Sequence, residues 1–354
     1  MILVVNAGSS SIKVELFGTD LTAILQGKVT EIGGNARISL GSLNQTVFAP
    51  DHKAAFKGIL QALAAQGYPV DRLTAAAHRI VHGGAALTEP VRLTQDILAQ
   101  VEGYNPLAPL HNPHNLSAIH ALAELAPDLP QYGSFDTAFH AGHSDLATTY
   151  AIPQSERDKG IRRYGFHGLS YASLVQALRP DLPHRLLALH LGNGSSLCAI
   201  LDGKSVATSM GYSPIDGLVM GTRPGEIDGM AVLRMAQDHG LEGATRLLNK
   251  ESGLTALGGT NDMAALLASA QPEARFAVEH FCYWAARQAG SVIVAMGGVD
   301  AIAFTGGIGE NAAPVRQRIL DHLGFLGDLP VHVVPADEER QIARDALALI
   351  SAGQ

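Results

Sequence analysis

Cysteine is nearly missing: Cys198 and Cys282 are the only two in 354 residues, and they form no metal-binding or redox motif. That argues against a disulfide framework and points to a reduced, intracellular setting. Long hydrophobic runs are missing too. The longest, SVIVAMGG at 291–298, is far too short to span a bilayer, so no membrane partner is expected. Positive charge is in the minority, with 25 Lys and Arg against 33 Asp and Glu and a formal net charge of −8. This balance argues against a broad nucleic-acid footprint. It leaves room for a small anionic ligand, because a few arginines in a cleft set the local field. Met1 leads directly into an apolar stretch with no basic segment or cleavage site, so no signal peptide is expected and the cytoplasm is the expected location. Nor does the chain carry a G-x-x-x-x-G-K-[ST] phosphate loop.

What is present is a soluble globular composition, 47% apolar with 38 glycines, and enough length for two domains. Residues 2–6 and 12–17 read as strands, 54–67 as a helix, 73–84 as a strand entering a Gly-Gly turn, and 112 onward as a Pro-initiated helix. A strand at 131–140 follows, then a polar, loop-like region at 153–170 where a domain boundary near 145–155 fits. The pattern restarts with strands at 186–191, 197–201 and 204–208 around a loop at 192–196. A helix near 229–240, a long one at 272–296, a buried strand at 301–307, a helix at 312–323, a strand at 331–335 and a helix at 337–351 complete it. Alternating helices and hydrophobic strands give an α/β class.

The restart repeats a small motif. In ILVVNAGSSSIKVELF (2–17) and LALHLGNGSSLCAI (187–200), an Asn is followed closely by Gly-Ser-Ser between two apolar runs. Two matching loops suggest a duplicated domain and a cleft to which each half contributes. Gly and small hydroxyl residues between strands expose backbone N–H groups to a phosphate; Ser9, Ser10 and Ser11 add hydroxyls and Lys13 a charge. Ordinary β-hairpins are the bland alternative.

Other motifs carry chemistry less specifically. FTGGIGEN (304–311) places Gly307-x-Gly309-x-x-Ala312 after a strand, a loose dinucleotide fingerprint. Its position near the C-terminus disfavours a dehydrogenase, although Asp337 follows the next strand. Arg79 with His82, Arg163 with His167, and Arg223 stand beside Gly or Pro turns, as anion clamps or as surface ion-paired arginines. Asp136 ends a strand where open α/β sheets face ligands. His111-x-x-His114 and His140-x-x-His143 lack a third ligand nearby, so zinc is disfavoured. Mg2+ needs fewer protein ligands when phosphates supply the rest, and Glu310, Glu338 and Glu339 are candidates. The apolar stripe in 272–296 reads as core or dimer interface.

Taken together, the motifs resemble the acetate kinases and their short-chain acyl-kinase relatives, in the superfamily of actin, hexokinase and heat-shock ATPases. The resemblance runs through NAGSSSIK, HRIVHGG, PLAPLHNPHN, FDTAFH, RYGFHGLSY, LHLGNGSS, TSMGYSPIDGLVMGTRPGEID, GLTALGGTNDM, FTGGIGEN and PADEERQIARD, nearly the whole chain. It implies duplicated ribonuclease H-like, actin-like ATPase domains with an interdomain cleft. The implied domains are 1–148, acyl-kinase, with a helix at about 339–354 packing back on it, and 149–338, nucleotide-binding. The implied reaction is ATP + acetate ⇌ ADP + acetyl phosphate, with Mg2+ (or Mn2+), in a cytoplasmic homodimer.

By the same resemblance, Asn6, Ser9, Ser11 and Lys13 match the first phosphate loop, and His190, Asn193 and Gly194 the second. Asp262, Gly307, Ile308 and Asn311 match the adenosine pocket. Arg79 and Arg223 match the arginines on the carboxylate and the moving phosphoryl group, His167 the transition-state histidine, and Asp136 the essential acid near the metal. Glu338, with Asn6, matches the metal-linked position and displaces Glu310. Val81, Leu110, Phe166 and Pro214 match the acyl-methyl pocket. The chain departs from the family at Ala264, where Arg usually follows Asn-Asp-Met, at Ala336-Asp337 in place of Thr-Asn, and in being some tens of residues shorter. A propionate kinase, a nucleotide-binding protein without catalysis, and an NAD-dependent dehydrogenase are the competing readings.

Overall fold

The computed structural model describes residues 1–353. The chain forms two units: Met1–Phe139 with Asp337–Gln354, and His140–Ala336.

In the first unit, Ile2, Leu3, Val4 and Val5 are all buried, so both faces of their strand are covered. That strand, β1 (Ile2–Ala7), makes an antiparallel hairpin with β2 (Ile12–Phe17). The sheet continues outward through β3 (Ala23–Thr30), β4 (Arg37–Leu40) and β5 (Leu43–Thr46), all antiparallel. On the other side β1 pairs in parallel with β6 (Ala75–Ile80). The edge strand β7 (Val91–Arg92) lies antiparallel to β8 (Gln131–Phe135), and β8 runs parallel to β6. Helices His52–Ala65 and Asn112–Leu125 cover one face, where Leu3 and Val5 meet Phe56, Ile59 and Leu122. The final helix, Glu338–Ser351, packs on β1, β6 and β8 and buries Gln341, Ile342, Ala343 and Ala346.

The second unit repeats the scheme. β9 (Arg185–Leu191) and β10 (Ser195–Leu201) form a hairpin, β11 (Lys204–Thr208) extends it, and β12 (Ala301–Thr305) and β13 (Val331–Val333) follow in parallel on the far side. The order β11-β10-β9-β12-β13 reproduces β3-β2-β1-β6-β8, so the duplicated α/β architecture expected from the repeat is present. Helix Pro272–Met296 fills the core behind β10 with Ala277, Phe281, Cys282, Ala285 and Ala289, and stops where Gly297 turns left-handed at φ 67°.

Local boundaries differ from the sequence reading in instructive places. The loop expected at 192–196 is only Gly192–Gly194, because Ser195 and Ser196 already belong to β10 and are buried. The region expected to be loop at 153–170 contains a helical turn, Gln154–Arg157, and the start of helix Gly168–Leu178. The strand expected at 301–307 ends at Thr305, since Gly306 adopts φ +79° and opens a short helix, Gly306–Asn311. Among the described residues no helix is long and apolar enough to cross a membrane.

Candidate active site

Each unit gathers part of the expected machinery. In the first, Asn6, Arg79 and Asp136 stand at the C-terminal ends of the neighbouring parallel strands β1, β6 and β8, the edge where such sheets meet ligands. Glu338 is the first residue of the final helix. Asn6, Asp136 and Glu338 converge on the Arg79 guanidinium. Its Nη2 donates to Asp136 Oδ2 at 2.6 Å, and Nε reaches both Asp136 oxygens at 3.1 and 3.2 Å. Nη1 donates to Asn6 Oδ1 at 3.3 Å, and Glu338 Oε2 lies 3.8 Å from Nε. Burial alone would lower the Arg79 pKa; Asp136 and Glu338 outweigh it and hold the group charged, above its ordinary value. Burial pushes Glu338 the other way, up to about 7, with Asp136 and Glu339 adding to the shift and Arg79 opposing it.

Two asparagines fix the strand end that carries Arg79. Asn115 accepts the Val81 N–H at 3.1 Å and donates to the Ala7 carbonyl at 2.8 Å. Asn112 accepts the His82 N–H at 3.1 Å and donates back to the His82 carbonyl at 3.0 Å. The HNPHN motif therefore ties β1 and β6 together beside the site, a role not read from sequence. The first loop is closed by Gly8 N–H to the Ser11 carbonyl at 2.8 Å and anchored by His52 Nε2 on the Gly8 carbonyl at 2.8 Å. Ser9 and Lys13 stay exposed, with Ser11 half-buried. Val81 is buried, whereas Leu110 is 45% exposed.

The oxygen donors around Arg79 can be tested against the implied metal. The Asn6 amide and the Asp136 and Glu338 carboxylates are hard ligands of the kind Mg2+ takes, and the crowded negative charge on Glu338 is what a cation relieves. Among the described residues no group of three or more His, Cys, Asp or Glu could hold a metal alone. The donors thus fit a Mg2+ that draws most of its ligands from phosphate and water.

In the second unit, His167 sits at φ 58° just before helix Gly168–Leu178. Its ring stacks on His190 at 4.2 Å between centroids and 25° between planes, and its Nδ1 lies 2.8 Å from Ser196 Oγ. His190 Nδ1 lies 2.8 Å from Ser170 Oγ. A side chain on Gly194 would come within 2.9 Å of Arg223 Nη2 and 3.0 Å of His167 Nε2, so arginine, imidazole and glycine loop meet at one point. Arg223 Nη1 donates to the Pro214 carbonyl at 2.6 Å, which brings Pro214 to the same point. Burial alone acts on the Arg223 guanidinium and pulls it down to about 10; no carboxylate among the described residues compensates it. A half-buried guanidinium with no anionic partner is an anion-binding group.

The loop itself is set by its neighbours. Gly221 N–H donates to the Asn193 carbonyl at 3.0 Å, and a Cβ on Gly221 would lie 2.1 Å from Asn193 Oδ1. Gly307 N approaches Gly192, and Asn311 Nδ2 donates to the Gly307 carbonyl at 2.9 Å; Gly307 and Asn311 are exposed and Ile308 is half-buried. Asp262 is engaged locally, capping helix Met263–Ala268 through the Ala264 N–H at 2.9 Å. Glu310 Oε1 takes the Ala336 N–H at 2.9 Å. Phe166 is buried, with its carbonyl 2.9 Å from His140 Nε2. His140 and His143 both reach Ser205 Oγ, at 2.8 and 2.6 Å, and His114 stacks on His52.

Comparison with known proteins gives a consistent set of relatives. The family model described as the Acetokinase family matches residues 1–351. An acetate kinase of Rhizobium meliloti is 40% identical over 391 aligned positions, covering 99% of this chain and 98% of that protein. Among solved structures, a propionate kinase from Francisella tularensis superposes with a TM-score of 0.93 at 33% identity, covering 97% of this chain and 98% of its own. Porphyromonas gingivalis acetate kinase gives 0.90 at 33% identity, covering 99% of each chain.

Proposed function

The chain belongs to the acetokinase family, and from that premise we propose that it catalyses reversible, Mg2+-dependent transfer of the γ-phosphoryl group of ATP to acetate, giving acetyl phosphate and ADP. The observation that carries the reading is Arg223: a half-buried guanidinium without an anionic partner, meeting His167 Nε2 where Gly194 leaves space. A phosphoryl group in transfer is the anion such a point suits.

The acceptor carboxylate is ionised at neutral pH, so the reaction needs no general base. One of its oxygens forms the new bond to phosphorus while the bond from phosphorus to the β–γ bridging oxygen breaks, and ADP departs. Catalysis is then alignment and neutralisation of charge. Arg223 and His167 hold the equatorial oxygens of the moving group. Arg79, fixed by Asp136, orients the carboxylate. Ser9, Ser11, Lys13, His190, Asn193 and Gly194 hold the nucleotide phosphates, and Asp262, Gly307, Ile308 and Asn311 border the adenosine. Val81, Leu110, Phe166 and Pro214 enclose the acyl methyl. Mg2+, held by Asn6, Asp136 and Glu338, would offset phosphate charge. The reading takes residues 1–148, with the helix at about 339–354, as the acyl-kinase domain and 149–338 as the nucleotide-binding domain.

The same reading includes a cytoplasmic homodimer. Phe276, Tyr283 and Val294 on helix Pro272–Met296 are 57, 50 and 79% exposed, and apolar exposure of this kind supports a partner surface. Propionate is the second reading, favoured by the Francisella propionate kinase match; one methylene changes binding by only about 1 kcal/mol.

Trapping acyl phosphate with hydroxylamine tests the proposal. Purified protein with Mg-ATP should give acid-dependent hydroxamate, with acetate ahead of propionate and butyrate in kcat/KM. Propionate ahead of acetate transfers the assignment to the second reading. Nucleotide binding with no product from any acid sinks both.

A further inference from the structure

The loop between β1 and β2 is held by its carbonyls. Asn115 Nδ2 donates to the Ala7 carbonyl at 2.8 Å, and His52 Nε2 to the Gly8 carbonyl at 2.8 Å. The Ile32 N–H reaches the Ser10 carbonyl at 3.0 Å, and the Gly8 N–H the Ser11 carbonyl at 2.8 Å. A carbonyl oxygen only accepts, so the donor at Gly8 is the His52 ring, in its neutral form as in its charged one. The amides of Ser9 and Ser10 are treated differently. Both residues are exposed, and no acceptor among the described residues takes either N–H. Carbonyls bound by the protein and amides left over make the electrostatic pattern of an anion cradle.

His52 has a specific part in that pattern. In a trans peptide the carbonyl and the following N–H point in opposite directions. A Gly8 carbonyl drawn to His52 therefore turns the Ser9 N–H away from it. The ring is well placed to hold this peptide. His52 is buried at the start of helix His52–Ala65, behind the Asp51 cap, whose carboxylate takes the Ala54 N–H at 2.8 Å. Its imidazole lies against His114, with centroids 5.9 Å apart and 16° between planes. His114 and Asn115 are neighbours in the HNPHN motif, so one motif supports two successive carbonyls: Ala7 through Asn115, and Gly8 through the ring that His114 backs. We propose that His52 and His114 are positioning residues, which fix the Gly8–Ser9 peptide so that its N–H, not its carbonyl, faces the phosphates of the nucleotide. The hold stands on the hydrogen bonds alone; what the amide meets rests on the nucleotide reading of this loop. Without His52 the peptide after Gly8 is free to turn, because glycine tolerates the rotation. A turned peptide would set a carbonyl oxygen against phosphate oxygens, exchanging attraction for repulsion.

Nucleotide binding tests this without turnover. Kd for ADP and for adenosine is measured for the wild type, His52→Leu, His52→Gln and His114→Ala. His52→Leu keeps the bulk and removes the donor. It should weaken ADP about 10-fold, leave adenosine unchanged, raise KM for ATP but not for acetate, and speed hydrogen exchange of the Gly8 amide. His52→Gln keeps an N–H and should restore ADP binding. His114→Ala should weaken ADP about 3-fold. Lower thermal stability in His52→Leu with an unchanged ratio of ADP to adenosine affinity makes the residue purely structural and overturns the proposal. So does a His52→Gln variant that binds ADP as weakly as His52→Leu. Where His52→Leu does not fold, His114→Ala decides, and wild-type ADP affinity there overturns the proposal. A wild type that binds adenosine as tightly as ADP sinks the nucleotide reading of the loop instead, and the Gly8 exchange rate in the variants still reads the hold.

Discussion

Arg79 and Arg223 are the same side chain held in opposite ways. Arg79 is tied to Asp136 and neighbours Glu338, so its charge is already balanced. Arg223 has burial acting on it and a backbone carbonyl as its partner. Their alanine variants should therefore part company. Arg223→Ala should lose about 10²-fold or more in kcat while its thermal midpoint stays level, because a half-buried charge without a counter-ion has been removed. Arg79→Ala should lose activity and also stability, by about 3 kcal/mol or more, because Asp136 is left buried without its cation. Acyl-phosphate assays beside denaturant titrations check both; near-normal turnover in Arg223→Ala would falsify its assignment. Residue identity was the part of the site most legible in the sequence. Arg79, Asp136, His167 and Arg223 sit in motifs that carry them. Ser196 was not legible, because Gly-Ser-Ser reads alike in both loops and only strand register turns that hydroxyl inward.

Among elements, the strands buried on both faces were read best: β1 and β9 announce themselves by continuous apolar residues, and β2, exposed at Lys13, by alternation. β3 was missed because it is largely exposed, and β4 and β5 because four residues apiece carry little pattern. Asn112 and Asn115 show the limit from the other side, since their partners, His82, Val81 and Ala7, lie 30 to 108 residues earlier. Glycines test how elements shape the site. Gly240, at φ 70° and ψ 168°, is the kink that divides Gly229–Lys250 into two helices, and it has open space around its missing Cβ. Gly240→Ala should thus cost only backbone strain, about 1–3 kcal/mol, and leave kcat alone. Gly221→Ala would drive a methyl into Asn193 and should cut activity while changing stability less. Melting curves and kinetics on the pair separate the two; full activity in Gly221→Ala would show that the second loop does not need its present shape.

For the whole molecule, acid is the expected weakness. Burial holds His78, His82 and His143 neutral, down to about 4, and His140 to about 3. In the unfolded chain these imidazoles titrate near 6.5. The unfolded state then binds more protons below that pH, so stability is full above 6.5 and declines as pH falls toward 4. Asp345 opposes the trend. Burial raises it to about 6, against its bonds from Ser134 and Gln341, so its contribution is present at low pH and is lost as pH climbs from about 4 to 6. Asp345→Asn should steepen the acid decline below pH 6 and stabilise the protein at pH 7; denaturant midpoints across that range decide it, and an unchanged profile refutes the assignment. The final helix, which bears Asp345, has a consequence of another kind. It belongs to the unit that holds Met1, yet it is made after the other unit. On the ribosome the unit whose chain is continuous, His140–Ala336, has all its residues before the first unit does. The order of synthesis and the order of completion are therefore reversed. Until residue 351 emerges, the sheet of β1, β6 and β8 waits with one face open, and a chaperone that shields that face would find its task ended by the last turn of that helix.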